Sequence, residues 1–402
     1  MNILFINTAN VSEGSLGGVN RVSQVLAKAL TKKYGIKVFL AYYYTNNMPK
    51  TQGVFEKRIQ LNLPLNKDNF KHFLLENQID IIHTNVCKRE LWLASPQVYA
   101  VAQELKIPMV FQFHMSPMFE YKMVGSWERV KFAVCNRKPV KAELHYLILS
   151  KFRSVIGLFA RFLLRKKYLL PYQSCETAVL LSKSFFSEYT KIAGIKDTGK
   201  FKAIGNALSF EEFATLDEIK QKQKEVLIVC RLDDFLKNIS LALKVWQKIE
   251  QKPEFNDWKF TIVGTGQDFE FLQYYAKKLK LQRCSFAGFQ NPLEYYKRAG
   301  IFMMTSTAEG FAMTITEATS NGCVPVAFDT YGALHDLIKD GENGFIIPAN
   351  KISAYVDAVC KLMKDNEMRE TMAQNAVESS KNWTVEKITE KWVKLYENIK
   401  PT

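Results

Sequence analysis

The sequence predicts an α/β protein built from two doubly wound, parallel-sheet domains. Three observations carry that expectation. The chain has 402 residues, well beyond the roughly 250–300 that one hydrophobic core usually serves. Short runs that are apolar throughout, as strands buried on both faces are, alternate with helical patterns. The alternation then starts again in the second half with its own set of runs.

Taken in order, the strand-like run ILFINTA (3–9) precedes GGVNRVSQVLAKAL (17–30), whose Val19, Val22, Leu26, Ala29 and Leu30 share a helical face. The runs IKVFLAYYY (36–44), IDIIH (79–83), IPMVFQFH (107–114), TAVLLS (177–182) and KAI (202–204) continue the first sheet. EVLIVCR (225–231), WKFTIVG (258–264), CSFAGF (284–289), IFMMTS (301–306), VPVAF (324–328) and GFIIP (344–348) form the second. Helical stretches fall between these near 239–250, 268–280, 292–299, 313–321 and 332–339, and the tail, 353–400, is helical in pattern throughout. The chain thus divides into an N-terminal domain, 1–205, a C-terminal domain, 206–382, and a terminal helix, 383–402. The polar run DEIKQKQKE (217–225) reads as linker, and the basic, aromatic-rich stretch 116–176 as an elaboration of the first domain. Sheets of this kind bind ligands outside the carboxyl ends of their strands, so two facing sheets would make one deep cleft.

Composition narrows the class. With 47% apolar and 24% charged residues, the chain is neither disordered nor fibrous. Its seven cysteines (Cys87, Cys135, Cys175, Cys230, Cys284, Cys323, Cys360) are scattered and form no CxxC pair, which argues against a zinc site or a disulfide framework. NILFINTA (2–9) has no basic n-region and no cleavage site. The most apolar stretch, Val155 to Leu164, is interrupted by Arg161 and is far shorter than the ~20 residues a spanning helix needs. A cytoplasmic location is expected.

The net charge of +15 is uneven: residues 122–170 hold 12 Lys or Arg against Glu128 and Glu143. Two-thirds of the excess therefore belongs to one local surface. Within it, KFRSVIGLFARFLLRKKY (151–168) places Phe152, Val155, Ile156, Phe159, Phe162 and Leu163 on one helical face, with Lys151, Arg153, Arg161 and Arg165 elsewhere around it. Such a helix can dock on an anionic bilayer or pack on the first domain with a solvated rim.

The segment Ser306 to Phe345 is the richest in chemistry. After the strand IFMMTS, a turn holds Glu309 and a helix begins near Ala312 or Met313, placing Glu317 about one turn inside it. Free amides at a helix start suit a diphosphate. Glu309 at the mouth can accept hydrogen bonds from hydroxyls, and Glu317 can take a vicinal diol such as ribose. Gly17 and Gly18, between the first strand and first helix, permit close backbone approach to a phosphate. Gly264 and Gly266 shape the floor of the expected cleft. Asp-x-Asp, HExxH and clustered Cys/His patterns are absent from the sequence, so no metal or other cofactor is expected.

The string Glu309, Glu317, GCVPVAFD and ENGF resembles the nucleotide-sugar signature of glycosyltransferase family 4, retaining enzymes of the GT-B fold. Further landmarks of the resemblance, spread over nearly the whole chain, are GGVNRV (17–22), IDIIH (79–83), FQFH (111–114), VLLSKS (179–184), CRLDDFLKN (230–238) and VGTG (263–266). The resemblance implies a nucleoside-diphosphate-sugar donor whose diphosphate is gripped by Arg231 and Lys237. Asn238 stands where that family often has glycine. Glu309 would hold the transferred sugar, Glu317 the ribose, and Phe311, Ala312 and Met313 would offer backbone amides. His114 matches the histidine that the family sets against the donor sugar, whereas His83 reads as a packing and hydrogen-bonding residue.

The implied activity is metal-independent, retaining hexosyl transfer to a glycan or lipid-linked acceptor in cell-envelope or exopolysaccharide assembly, with peripheral contact to an anionic membrane. Two alternatives stand beside it. One is a basic nucleic-acid-binding protein; the sequence holds no helix-turn-helix, zinc-finger or RNP-like string, and no nucleic-acid partner is expected. The other is a GT-B relative acting as an epimerase or only binding the donor.

Overall fold

The computed structural model describes residues 1–11, 18–44, 54–85, 89–123 and 153–400. It comprises two compact units, residues 1–207 with 385–402 and residues 208–384. Unit 1 contains β1 (Asn2–Ala9), β2 (Lys37–Tyr44), β3 (Arg58–Gln60), β4 (Ile81–Asn85), β5 (Met109–Phe113), β6 (Thr177–Leu180) and β7 (Phe201–Ala203) in the order β3-β2-β1-β4-β5-β6-β7. Unit 2 contains β8 (Gln223–Val229), β9 (Lys259–Val263), β10 (Cys284–Gly288), β11 (Ala299–Met304), β12 (Val324–Asp329) and β13 (Phe345–Pro348), ordered β10-β9-β8-β11-β12-β13. Every described pairing is parallel. In both sheets the chain reverses direction beside the first strand, where doubly wound folds bind their ligands.

The apolar strands behave as their sequences require. Ile3, Leu4, Phe5, Val38, Leu40, Ile81, Ile82 and Val110 of unit 1 are fully buried. In unit 2 Val226, Ile228, Phe260, Ile262, Ile301 and Val326 form one core with Trp246 and Trp258. Two features depart from the sequence reading. The edge strand β3 was not expected, because three residues reading Arg-Ile-Gln give no apolar run; it is held by register with Leu40–Tyr42 and by Arg58 donating to the Val11 carbonyl at 2.7 Å. The polar run 217–225 is no linker. It lies inside unit 2 as the helix Leu216–Lys220 and the start of β8, since Thr215 and Glu218 close a capping box over the helix N-terminus.

The helical tail is three helices, Ile352–Lys364, Asn366–Ser380 and Val385–Ile399, the second capped by Asp365 accepting from the Met368 amide. The last belongs to unit 1. Its Trp392 stacks on His83 with centroids 4.6 Å apart, and the Tyr396 hydroxyl meets His83 Nδ1 at 2.7 Å. Gln112 Oε1 takes the other ring nitrogen at 3.2 Å. Burial, the neighbouring His114 and the opposing Gln112 bond leave the His83 pKa at about 3, so it joins helix to sheet as a neutral ring.

Candidate active site

In unit 2 the chemistry gathers where β8 and β11 end. Beyond β8 the chain turns through Cys230 to Asp233 into the short helix Asp234–Lys237. Asp233 caps this helix by accepting from the Leu236 amide. Asp234 accepts from the Ser240 amide at 2.7 Å, while its own amide donates to Asp268 at 2.7 Å. Asn238 then adopts φ 51°, ψ 45°, a left-handed conformation that asparagine tolerates almost as glycine does. That is the physical reason glycine and asparagine can exchange here. The kink starts the helix Ile239–Glu250 and leaves Lys237 in the last turn of its predecessor.

The loop after β11 is laced to the same helix. Thr305 Oγ1 donates to the Lys237 carbonyl at 3.0 Å, and the Thr307 amide donates to the Leu236 carbonyl at 2.8 Å. Lys237 Nζ therefore lies 2.5 Å from Glu309 Oε1, with side chains 22% and 15% exposed. Burial alone would depress the Lys237 pKa, but the Glu309 carboxylate in contact outweighs it and holds the ammonium above its ordinary value. Arg231 is different in kind: its side chain is 65% exposed and donates to Asp233 Oδ2 at 3.0 Å. Both cations are paired with a carboxylate, but Lys237 is largely buried while Arg231 is mostly open to solvent.

Gly264 and Gly266 act through this loop. A β-carbon on Gly264 would lie 1.9 Å from the Cys230 carbonyl oxygen, and Gly264 adopts φ +136°. One on Gly266 would lie 2.3 Å from the Leu232 carbonyl oxygen. Both glycines let the β9 exit pack directly on the backbone that carries Arg231.

At the start of the helix Met313–Ser320, the side chains of Phe311, Ala312 and Met313 are all buried, Phe311 edge-on to Trp383. The Met313 amide donates to the Phe311 carbonyl at 2.8 Å, which corrects the expectation that it is a free donor: the tight turn into the helix uses it. Glu317 is 1% exposed and accepts from the Tyr296 hydroxyl at 3.1 Å. It lies inside the unit, whereas Glu309 lies at its surface.

In unit 1 the corresponding strand ends carry uncharged groups. His114, directly after β5, is buried, and its Nε2 lies 2.8 Å from Asn85 Oδ1 at the end of β4. Burial pushes the His114 pKa down to about 3. Asn85 donates to Asn7 Oδ1 of β1 at 3.0 Å, and Asn7 donates to Ser23 Oγ at 3.0 Å. The asparagines escaped the sequence reading, although the polar Asn7 and Thr8 closing the otherwise apolar run ILFINTA were the available signal. Gly18 opens the helix Gly18–Tyr34, with nothing among the described residues within 4 Å of the place a β-carbon would take. Gly17 lies outside the described residues, as do residues 124–152 of the basic stretch, Lys151 and Phe152 included.

The rest of that segment is the helix Arg153–Ser174, described in its side chains from Arg161 onward. Leu164, Tyr168 and Tyr172 face the core. Lys167 pairs with Glu120, and Arg165 donates to the Ala193 carbonyl at 3.2 Å. Phe162 is 52% exposed, beneath the Lys166 ammonium, and Arg161 lies over Tyr121. Among the described residues no helix is long and apolar enough to cross a membrane.

Comparison with known proteins gives this geometry a context. Residues 210–379 match the family of glycosyl transferases group 1. An uncharacterized glycosyltransferase of Haemophilus influenzae is 31% identical over 175 residues, 43% of this chain and 49% of that protein. A Campylobacter jejuni α-1,4-N-acetyl-D-galactosaminyltransferase, named for a diNAcBac-PP-undecaprenol-linked acceptor, is 25% identical over 243 residues, 60% of this chain and 64% of that one. The chain thus spans about half to two-thirds of the length of these relatives. Among solved structures, Anabaena HepE in complex with UDP and glucose superposes with a TM-score of 0.70 over 99% of both chains at 17% identity. The chain has the GT-B fold, two Rossmann-like parallel-sheet domains, and the match to glycosyl transferases group 1 falls within the second of them.

Proposed function

We propose that the protein is a metal-independent, retaining glycosyltransferase of family 4 that moves a hexosyl group from a nucleoside-diphosphate sugar to a glycan or lipid-linked acceptor in cell-envelope or exopolysaccharide assembly. The observation that carries this reading is the Lys237–Glu309 pair at the carboxyl edge of the second sheet. An ammonium has three donors, so Lys237 can keep Glu309 and still bind phosphate oxygens. Arg231 adds a second positive charge on a loop exposed to solvent. Glu309 accepts from hydroxyls of the transferred sugar; Glu317, buried behind Tyr296 in the structure, reaches the ribose only where the donor displaces the Tyr296 hydroxyl from its carboxylate. The bond from the anomeric carbon to the β-phosphate oxygen breaks, with its electron pair leaving on the nucleoside diphosphate. The acceptor oxygen forms the new bond on the same face, and its proton passes to the departing phosphate oxygen. Lys237 and Arg231 stabilise the charge that develops there, as fixed cationic donors do in other group transfers. In unit 1, His114 accepts a hydrogen bond from a sugar hydroxyl.

The relatives' names support the substrate class: one is named for a polyprenol-linked glycan acceptor, and a solved neighbour holds UDP and glucose. The exposed Phe162, Arg161 and Lys166 offer an apolar and cationic edge for an anionic bilayer.

The test is to incubate the full chain with a panel of nucleoside-diphosphate sugars and glycan acceptors, with and without chelator, reading nucleoside-diphosphate release and the anomeric configuration of the product by NMR. Acceptor-dependent release with retained configuration, unaffected by chelator, is expected. Isomerisation of the donor without acceptor would assign an epimerase instead, and abolition by chelator would overturn the metal-free mechanism. In the same preparations the protein should float with anionic vesicles at low salt; remaining in the pellet would remove the membrane contact.

A further inference from the structure

His114 is the terminus of a buried chain of hydrogen bonds whose direction is set at its far end. Ser23 Oγ lies 2.9 Å from the Val19 carbonyl oxygen in the first turns of the helix Gly18–Tyr34. A carbonyl can only accept, and two lone pairs at that distance would repel, so the Ser23 proton must point to Val19. Ser23 Oγ is then an acceptor for Asn7 Nδ2 at 3.0 Å, which turns Asn7 Oδ1 toward Asn85 Nδ2 at 3.0 Å. Asn85 is thereby oriented with Oδ1 toward His114 Nε2, 2.8 Å away. An amide oxygen accepts only from a protonated nitrogen. The chain therefore assigns the ring proton to Nε2 and the lone pair to Nδ1, for which there is no partner among the described residues. All four side chains are buried, so water does not compete for these bonds.

We infer that Asn85, oriented through Asn7 and Ser23, is a positioning residue that locks His114 as a neutral Nε2–H tautomer whose Nδ1 accepts from a hydroxyl group of the substrate. Its role in turnover rests on the proposed glycosyl transfer; the tautomer itself does not. The ligand class follows from the atom presented. A lone pair repels a phosphate oxygen and welcomes an O–H, so this edge of unit 1 takes a polyol and not the diphosphate.

The experiment has a structural and a kinetic arm. Protein labelled with ¹⁵N-histidine, with His114 assigned through His114→Gln, should show a single neutral Nε2–H ring in long-range ¹H–¹⁵N spectra. An Nδ1–H ring, or an average of the two tautomers, would overturn the inference without any variant having to fold. Asn85→Leu should abolish the tautomer preference and lower kcat/KM about tenfold, the scale of one well-placed hydrogen bond. Asn7→Leu, which leaves Asn85 in place but removes the partner that orients its amide, should weaken the tautomer preference and lower kcat/KM by less than Asn85→Leu does. Loss of rate in Asn7→Leu equal to that in Asn85→Leu, with the tautomer intact, would overturn the positioning role. Wild-type turnover in His114→Gln would instead remove the sugar contact of His114 while leaving the tautomer assignment to the spectrum.

Discussion

The carboxyl end of the first sheet presents Asn7, Asn85 and His114, uncharged and hydrogen-bonded in series, whereas that of the second presents Arg231, Lys237 and Glu309. The two sheets share one winding order around their first strands. The topology supplies a place for a ligand, and the residues at the strand exits decide what kind. Neutral groups locked in orientation suit hydroxyls; a guanidinium and an ammonium suit a diphosphate. The supporting structure differs accordingly. The first set is oriented by side chains bonded to one another inside the unit, and the second by the Thr305 hydroxyl and Thr307 amide donating to backbone carbonyls of the helix Asp234–Lys237.

The contrast can be broken at its strongest point by Lys237→Ala. It should lower turnover by about 10²–10³, the scale of one lost oxyanion-type donor. It should also abolish the thermal shift produced by nucleoside diphosphates, which arises because ligand binds only the folded form. Near-normal turnover would mean that the ammonium serves Glu309 and nothing else.

Acid should separate the units by stability. His83 and His114 fold with pKa values of about 3, burial being the main cause in both, while unfolded histidine titrates near 6.5. Between those values the unfolded chain binds more protons than the folded one, so stability falls as pH drops below about 6.5, by up to ~1.4 kcal/mol per pH unit for each ring. The single histidine of unit 2, His335, is exposed. Hydrogen exchange followed from pH 7 to pH 4 should therefore show unit 1 amides losing protection first; equal loss in both units would contradict the buried neutral rings.

Glu309→Gln sharpens the comparison further. Removing the carboxylate frees Lys237 for phosphate, so nucleoside-diphosphate affinity measured calorimetrically should rise, by about tenfold for one charge-assisted bond, while turnover falls. Weaker binding would show that Glu309 orients Lys237 for the ligand and does not compete for it.

Glycine provides the smallest effects. Gly264→Ala forces a β-carbon onto the Cys230 carbonyl from a left-handed backbone and should cost on the order of 1–3 kcal/mol. Gly18→Ala meets none of the described residues and should stay within about 0.5 kcal/mol. Thermal melts of the two variants compare them directly. An equal drop would place Gly18 in contacts the fold does not display.

Much of this was legible before any coordinates. Runs such as ILFINTA and EVLIVCR are apolar because their strands are covered on both faces, and that pattern depends on neighbours along the chain alone. β3 was invisible because an edge strand of three residues is chosen by its partner and by the Arg58 tie to Val11, not by its own composition. The polar stretch 217–225 misled for a related reason. A capping box and a solvated strand start are as hydrophilic as a linker, and only the Thr215–Glu218 geometry separates them.

Sequence alone determined the two-sheet architecture, the strand exits and the identity of the ionisable residues standing there, because burial periodicity and local turn chemistry are written in short windows of residues. Tertiary structure decided which of those residues act together. It closed Lys237 onto Glu309 across 72 positions of chain, sank Glu317 beneath Tyr296, turned the Met313 amide back onto Phe311, and aligned Ser23, Asn7, Asn85 and His114 from four separate elements. Such contacts depend on the packing of distant segments in three dimensions, and no local pattern encodes them.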